Sequence, residues 1–377
     1  MDNNNVTPNL HSAGLKGTRA DSAADIQAAL TQCTNTAGLH AALDLLDAWC
    51  HASGYLPQGW ADDDEIIDIS PVDDEPTLQL QINRSRARYV SPASGFARDQ
   101  AANDCPLCAH NTQRPGKELL RLFHFQLAGR DFFVQHTPFP FHETHFVLVE
   151  ATHQPMRMAA ASVADLAAFL DQAPHATACS NSDVMWAGAS ILAHHHYQVF
   201  SQWDLPVMVA TLNDKTRFTA SGTRATIGLL NYPAAVVRVQ GPCEDVVATA
   251  GTLIMAYKAT APGKATANLV ASRPAGSKDL QVEIILRHSD HRTTSRWTDW
   301  KAEGVGVLEM AGLVIVPAPR GEHADDRLDH LRANAGTIAR GILTDNSPVN
   351  NDEAPALLET LRESLSLFRF LKERGHS

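Results

Sequence analysis

The sequence predicts an α+β fold, on three observations. Strand-like and helix-like stretches are interspersed without a regular βα alternation, which disfavours a doubly wound parallel sheet. No G-x-G-x-x-G and no G-x-x-x-x-G-K-[ST] is present, so neither a Rossmann cofactor loop nor a P-loop is signalled. A composition of 44% hydrophobic and 19% charged residues over 377 positions suits a soluble chain with a sizeable core.

Each element has a local reason. Residues 1–20 read as a disordered lead. Ser22 with Asp25 three residues on makes a capping box, and Leu39, Leu43, Leu46 and Cys50 recur behind it at helical spacing. The acidic stretch holding Asp62, Asp63, Asp64, Glu65, Asp73, Asp74 and Glu75 reads as an exposed linker. Leu78, Leu80 and Ile82 alternate with polar residues, as in a half-buried strand. Further strands are expected over 131–135, 146–149, 207–212, 234–239, 269–272, 281–286 and 312–316. Helices are expected over 162–172, 244–258, 323–342 and 354–372, and Pro274-Ala275-Gly276-Ser277 reads as a hairpin turn.

Charge and cysteine usage exclude several function classes. Lys plus Arg total 31 against 42 for Asp plus Glu, a net −11 that argues against binding nucleic acid or an anionic membrane surface. A small local anion site remains compatible with it. No apolar run reaches the ~18 residues of a membrane span, and the polar N-terminus lacks a secretory pattern. Of six cysteines only Cys105 and Cys108 lie close together, too few for a disulfide framework. A cytoplasmic setting is the expectation.

The chemistry concentrates in three places: Cys105-Pro106-Leu107-Cys108, His153, and the run His194-His195-His196-Tyr197-Gln198. A Cys-x-x-Cys turn can give two thiolates to one metal, and zinc then takes two more ligands, commonly distant histidines. A redox pair or two buried thiols are the alternatives. If the histidine run is a strand, His194, His196 and Gln198 share one face, while His195 and Tyr197 share the other. Replacing His195 by Ala is therefore expected to leave most of the activity. Such an alternation can set a ligand, a nucleophile and an amide donor side by side, although three adjacent histidines alone are more often a surface cluster.

The wider context carries a resemblance. Gln135-His136-Thr137-Pro138-Phe139-Pro140-Phe141-His142-Glu143-Thr144-His145-Phe146-Val147 is followed by His153-Gln154-Pro155-Met156-Arg157-Met158. Pro174-His175, Ser180-Asn181-Ser182-Asp183, Gly188-Ala189-Ser190-Ile191-Leu192, Leu205-Pro206-Val207-Met208 and Val307-Leu308-Glu309-Met310-Ala311-Gly312-Leu313 come after. In order and spacing, over about residues 78–320, this resembles the second, largely bacterial, type of galactose-1-phosphate uridylyltransferase in the histidine-triad superfamily.

The resemblance implies two histidine-triad-like halves, each an antiparallel sheet flanked by helices, after a helical N-terminal segment. It divides the chain into a helical lead and acidic linker (1–76), a catalytic half (77–215), a second half (216–345) and a C-terminal helix (346–377). Residue by residue it puts His196 on the nucleophile and Gln198 on the glutamine that holds phosphoryl oxygens. It puts Cys105, Cys108, His153 and His194 on the structural zinc ligands, and Asn181, Gly188 and Ser190 near the nucleotide. Nucleotide-sugar and sugar-1-phosphate substrates, and a homodimer, are implied in the same way. Two departures stand out: His195 replaces an Asp or Pro, and Val199-Phe200 replaces two glycines. The second bears on hexose-1-phosphate specificity more than on the histidine chemistry.

The expected activity is nucleotidyl transfer by ping-pong through a nucleotidyl-His196. The alternatives are a nucleoside-diphosphate-sugar or dinucleoside-polyphosphate phosphorylase or hydrolase on the same scaffold, and a zinc-stabilised nucleotide-binding protein without turnover.

Overall fold

Ser22 opens the first helix, α1 (Ala23–Ala52), through the capping box its spacing predicts: Asp25 N–H donates to Ser22 Oγ at 3.1 Å, and Ser22 N–H donates to the Asp25 carboxylate at 3.0 Å. The helix bends at Gly38, whose φ of 91° glycine adopts without strain. The computed structural model describes residues 9–56, 59, 64–84, 100–114, 116–138, 140–301, 304–350 and 352–373. Of the expected lead, residues 1–8 lie outside the described residues. Residues 9–20 form turns with Leu15 buried in the core, so that part of the lead is ordered.

The strands are β1 (Glu65–Ile69), β2 (Leu78–Asn83), β3 (Leu122–Leu127), β4 (Arg130–His136), β5 (His145–Glu150), β6 (Thr177–Ser180), β7 (His196–Phe200), β8 (Phe218–Thr219), β9 (Thr226–Leu229), β10 (Val236–Gly241), β11 (Ala265–Ser272), β12 (Leu280–His288) and β13 (Leu313–Pro317). The other helices are α2 (Ala160–Gln172), α3 (Pro206–Val209), α4 (Cys243–Thr260), α5 (Val307–Met310), α6 (Ala324–Ala333), α7 (Ala335–Asp345) and α8 (Ala354–Glu373). Ten strands form one antiparallel sheet in the order β3-β4-β5-β7-β6-β11-β12-β10-β9-β8. A three-stranded sheet, β1-β2-β13, lies apart from it. This is the expected α+β class.

Three local readings are corrected. Residues 207–212, expected as a strand, instead begin as α3, with Pro206 at its start where a missing N–H costs nothing. Their carbonyls are taken by a side chain: Arg238 donates to Val207, Met208 and Ala210. The helix expected over 323–342 is two helices parted at Asn334. Part of the acidic linker is strand β1, paired with β2; Asp64, just before it, accepts from Gln81 and Asn83 at 3.1 and 2.8 Å, while Asp62 and Asp63 lie outside the described residues.

Side-chain alternation gives the large sheet two different faces. On one, Leu148, Tyr197, Val199, Leu269 and Ile284 join α1, α2, α4 and α8 in a single core. The opposite face carries two separate caps. Phe200, Cys179, Val270 and Ile285 pack under the small sheet, α5 and α7. Phe133 and Val149 pack under the loop of Cys105 and Cys108. Register places His196 beside Val149 and Gln198 between Val147 and Cys179, so both stand where the two caps meet.

Candidate active site and metal centre

Cys105, Cys108, His153 and His194 come together, with one ligand atom from each lying within 4.8 Å of the others. Both thiols sit in the turns around two short 3₁₀ segments, where Asn111 Nδ2 donates to the Cys105 carbonyl at 2.6 Å. Each histidine points Nδ1 at sulfur: His153 to Cys108 at 3.2 Å, and His194 to Cys105 and Cys108 at 3.5 Å. Each gives its other nitrogen to a backbone carbonyl, His153 Nε2 to Gln100 at 3.0 Å and His194 Nε2 to Glu150 at 2.7 Å. Those bonds hold the proton on Nε2 and leave both Nδ1 lone pairs facing the sulfurs, the tautomer a metal ligand needs. Burial and the neighbouring Cys105 push the Cys108 thiol up to about 12, so a thiolate there calls for a cation. The four residues can hold a metal ion.

His196 is 8% exposed and bonded differently from its neighbours. Its Nδ1 donates to the His194 carbonyl at 2.7 Å, so the lone pair is on Nε2. Burial depresses its pKa to about 4 and keeps the ring neutral. Two residues along the same face stands Gln198, whose buried Oε1 has no hydrogen-bond partner among the described residues. A neutral imidazole with a free Nε2, beside an amide whose NH₂ also makes no hydrogen bond among the described residues, is equipped to attack phosphorus and to donate to a phosphoryl oxygen.

The three other proposed contacts differ among themselves. Asn181 falls opposite His196 when the β6–β7 register is continued past Cys179, but its Oδ1 accepts from Val307 N–H at 3.0 Å. Only its amide NH₂ remains for a ligand. Gly188 has a φ of 96°, and a Cβ built there would lie 2.2 Å from Gly306 Cα, so close chain packing already requires glycine. Ser190 is exposed on the loop between β6 and β7. Phe200 is fully buried, ring-stacked on His145 at 4.7 Å and edge-on to Trp203 at 4.7 Å, while His142 stacks on Trp203 at 4.6 Å. It closes one end of the face with an aromatic wall.

Sequence reading missed the groups beneath β7: Glu150, Asp165, Arg130 and Arg157. Arg130 and Arg157 each reach Glu150 at 2.9 Å, and Arg130 also meets Asp165. No spacing signal joins residues so far apart in the chain; only the fold does.

No protein-family model matches the chain. It is 25% identical over 295 residues to a galactose-1-phosphate uridylyltransferase of Streptococcus salivarius, covering 70% of this chain and 59% of that protein. It is 27% identical over 268 residues to galactose-1-phosphate uridylyltransferase 2 of Streptococcus pneumoniae serotype 4, covering 64% and 54%. The chain thus spans under two thirds of the length of these curated relatives. Its fold matches yeast Ap4A phosphorylase in complex with AMP, with a TM-score of 0.52, 12% identity, and coverage of 85% of this chain and 97% of that one. No described helix is long and apolar enough to cross a membrane. The chain is thus similar in sequence to galactose-1-phosphate uridylyltransferases and similar in fold to yeast Ap4A phosphorylase.

Proposed function

We propose that this chain is a nucleotidyltransferase that passes a nucleoside monophosphate through a covalent intermediate on His196, with UDP-glucose as donor and a hexose-1-phosphate as acceptor. His196 Nε2 attacks the α-phosphorus, the bond to the sugar-1-phosphate oxygen breaks, and the acceptor phosphate then takes the nucleotidyl group from nitrogen. The group that leaves in the first step and the group that attacks in the second, displacing the His196 imidazole, are both phosphates with a second pKa near 6, so positioning and charge stabilisation matter more than proton transfer. Gln198 holds a non-bridging oxygen, and Asn181 (through its amide), Gly188 and Ser190 line the nucleotide's path. The observation that carries this reading is the bond from His196 Nδ1 to the His194 carbonyl at 2.7 Å, which leaves a neutral ring with its lone pair on Nε2.

The metal in this reading is zinc. Two thiolates and two imidazoles around one point are a donor set that favours tetrahedral zinc, which would clip residues far apart in sequence and take no part in the chemistry. A cytoplasmic setting would keep Cys105 and Cys108 reduced. The catalytic half is residues 77–215 and the second half residues 216–345.

Phe200 favours a second reading on the same intermediate. Its aromatic wall stands where two glycines would admit a hexose, which suits transfer to phosphate or water by a phosphorylase or hydrolase. Incubation with UDP-glucose and no acceptor tests the shared step: the intact protein gains one acid-labile UMP and releases glucose-1-phosphate. An unmodified protein across UDP-, GDP-, ADP- and dTDP-sugars, or an adduct on another residue, overturns the reading. Adding galactose-1-phosphate or phosphate to the loaded protein, against the rate of UMP loss in buffer alone, then separates the acceptors.

A further inference from the structure

The polar groups beneath β7 form one connected chain of hydrogen bonds and ion pairs. Arg130 and Arg157 are donors only, so Glu150 and Asp165 accept from them. Asp165 is 2% exposed; burial alone would raise its carboxyl, but hydrogen bonds and the Arg130 charge outweigh it and hold it below the usual carboxylate range. Tyr197 O–H donates to Asp165 at 2.7 Å. That commits the hydroxyl proton, so the Tyr197 oxygen accepts from His195 Nε2–H at 2.7 Å. The lone pair of His195 is then on Nδ1, facing Arg157 N–H at 3.4 Å.

The main chain of His195 grips the same segment. Its N–H donates to the Gln154 carbonyl at 2.6 Å and its carbonyl accepts from Glu150 N–H at 3.2 Å. Residues 151–159 form an arm between β5 and α2 that carries the metal ligand His153, and Glu150, at its root, holds His194 through its own carbonyl. His195 is fully buried between this arm and the helix that supplies Asp165.

We propose that His195, Tyr197 and Asp165 are a positioning relay that docks the arm onto β7 and so sets both His153 in the metal centre and His196 at the reacting phosphorus. The relay rests on the nucleotidyl-transfer reading only for its effect on His196. A ring placed in this way is not expendable, contrary to the expectation drawn from its period-2 direction alone.

The test uses the full chain and four variants: His195→Ala, His195→Asn, His195→Gln and Tyr197→Phe. Asn keeps an acceptor near the Nδ1 position for Arg157, and Gln keeps a donor near the Nε2 position for Tyr197. Three quantities are measured: cobalt(II) affinity from the thiolate-to-cobalt absorption, amide exchange over 150–157, and the rate of UMP loading from UDP-glucose against donor affinity. His195→Ala is expected to weaken cobalt binding about tenfold or more, the usual effect of losing an outer-shell partner, and to speed exchange in the arm. Loading slows while donor affinity holds, and Asn and Gln each recover part of both losses. Tyr197→Phe, the milder change, gives the same pattern in smaller degree and decides the matter if His195→Ala does not fold. The proposal is overturned if folded His195→Ala or Tyr197→Phe matches the wild type in cobalt affinity and exchange, or if Asn and Gln recover nothing. A wild type that never loads UMP sinks the functional reading alone, because the cobalt and exchange results still decide the relay.

Discussion

The two halves of the ten-stranded sheet repeat one plan. β3, β4 and β5 lead into α2 and then β6 and β7; β8, β9 and β10 lead into α4 and then β11 and β12. The halves meet where β6 pairs with β11, Cys179 opposite Val270. Counting outward from that pair, Gln198 lies opposite Cys179 and Glu283 opposite Val270, so His196 corresponds to Gln281. In the second half those positions turn inward: Glu283 accepts from Arg238 Nε and from Gln281 Nε2, both at 2.8 Å. The connections differ as well. β5 reaches α2 through the arm 151–159 and β6 reaches β7 through 181–195, whereas only Pro242 separates β10 from α4 and only 273–279 joins β11 to β12. Under the proposed function, the chemistry lies in the two lengthened connections and in His196 and Gln198 on β7.

Substituting the corresponding residues breaks this comparison most sharply. His196→Ala should cut UMP loading on the order of 10³-fold or more, as loss of a covalent nucleophile does. Gln281→Ala, at the matching position, should load within about twofold of wild type, measured per folded molecule by intact mass. Equal losses would mean that the asymmetry of the halves is not where function lies. Metal removal comes next. A centre saturated at a thousand times its Kd stabilises the fold by about 4 kcal/mol. Chelation, or Cys105→Ser, should lower denaturant stability by that order and speed amide exchange first in the arm and in 100–114. Unchanged stability, or a Cys105–Cys108 disulfide, would remove the clip from the account.

What was legible in the sequence was local. The capping box at Ser22, the turn of Cys105 and Cys108, and the alternation of His196 and Gln198 each need only a few neighbouring residues to be read; His194, expected on the same strand, stands instead in the bend before β7. The α+β class followed from the absence of regular alternation. What was illegible depends on distant partners: α3 forms where its carbonyls meet Arg238, β1 forms in an acidic stretch because β2 offers a pairing edge, and the role of His195 needs Asp165 and Arg157. Asn181 and Gly188 were placed by resemblance; in the structure Asn181 accepts from Val307 N–H and Gly188 packs closely on Gly306.

A third effect should be smaller. Gln198→Ala removes one donor from the phosphoryl oxygens and should slow loading by about 10²-fold, as loss of one oxyanion donor does. Glu283→Gln should leave that rate unchanged. A Gln198 variant that loads at the wild-type rate would take the amide out of the site.

The smallest contrast is in the pH dependence of stability, where the buried carboxylates of the two halves should have opposite signs. Asp165 lies below its ordinary value, because its hydrogen bonds and the Arg130 charge outweigh burial. Its contribution is full above the unfolded-state value, 3.8, and is lost as pH falls through the lowered value. Glu283 is raised, because burial outweighs Arg238. The folded state then holds its proton when the unfolded state has released it, so wild type loses stability as pH rises above 4.5 toward the raised value. Each slope is at most about 1.4 kcal/mol per pH unit, one proton's worth. Urea unfolding of wild type, Asp165→Asn and Glu283→Gln in steps from acid to neutral pH should show the advantage of wild type over Asp165→Asn shrinking as pH falls. Its standing relative to Glu283→Gln should worsen as pH rises. Slopes of the same sign would mean that Arg238 holds Glu283 as firmly ionised as Arg130 holds Asp165, and that the two halves share their electrostatics as well as their topology.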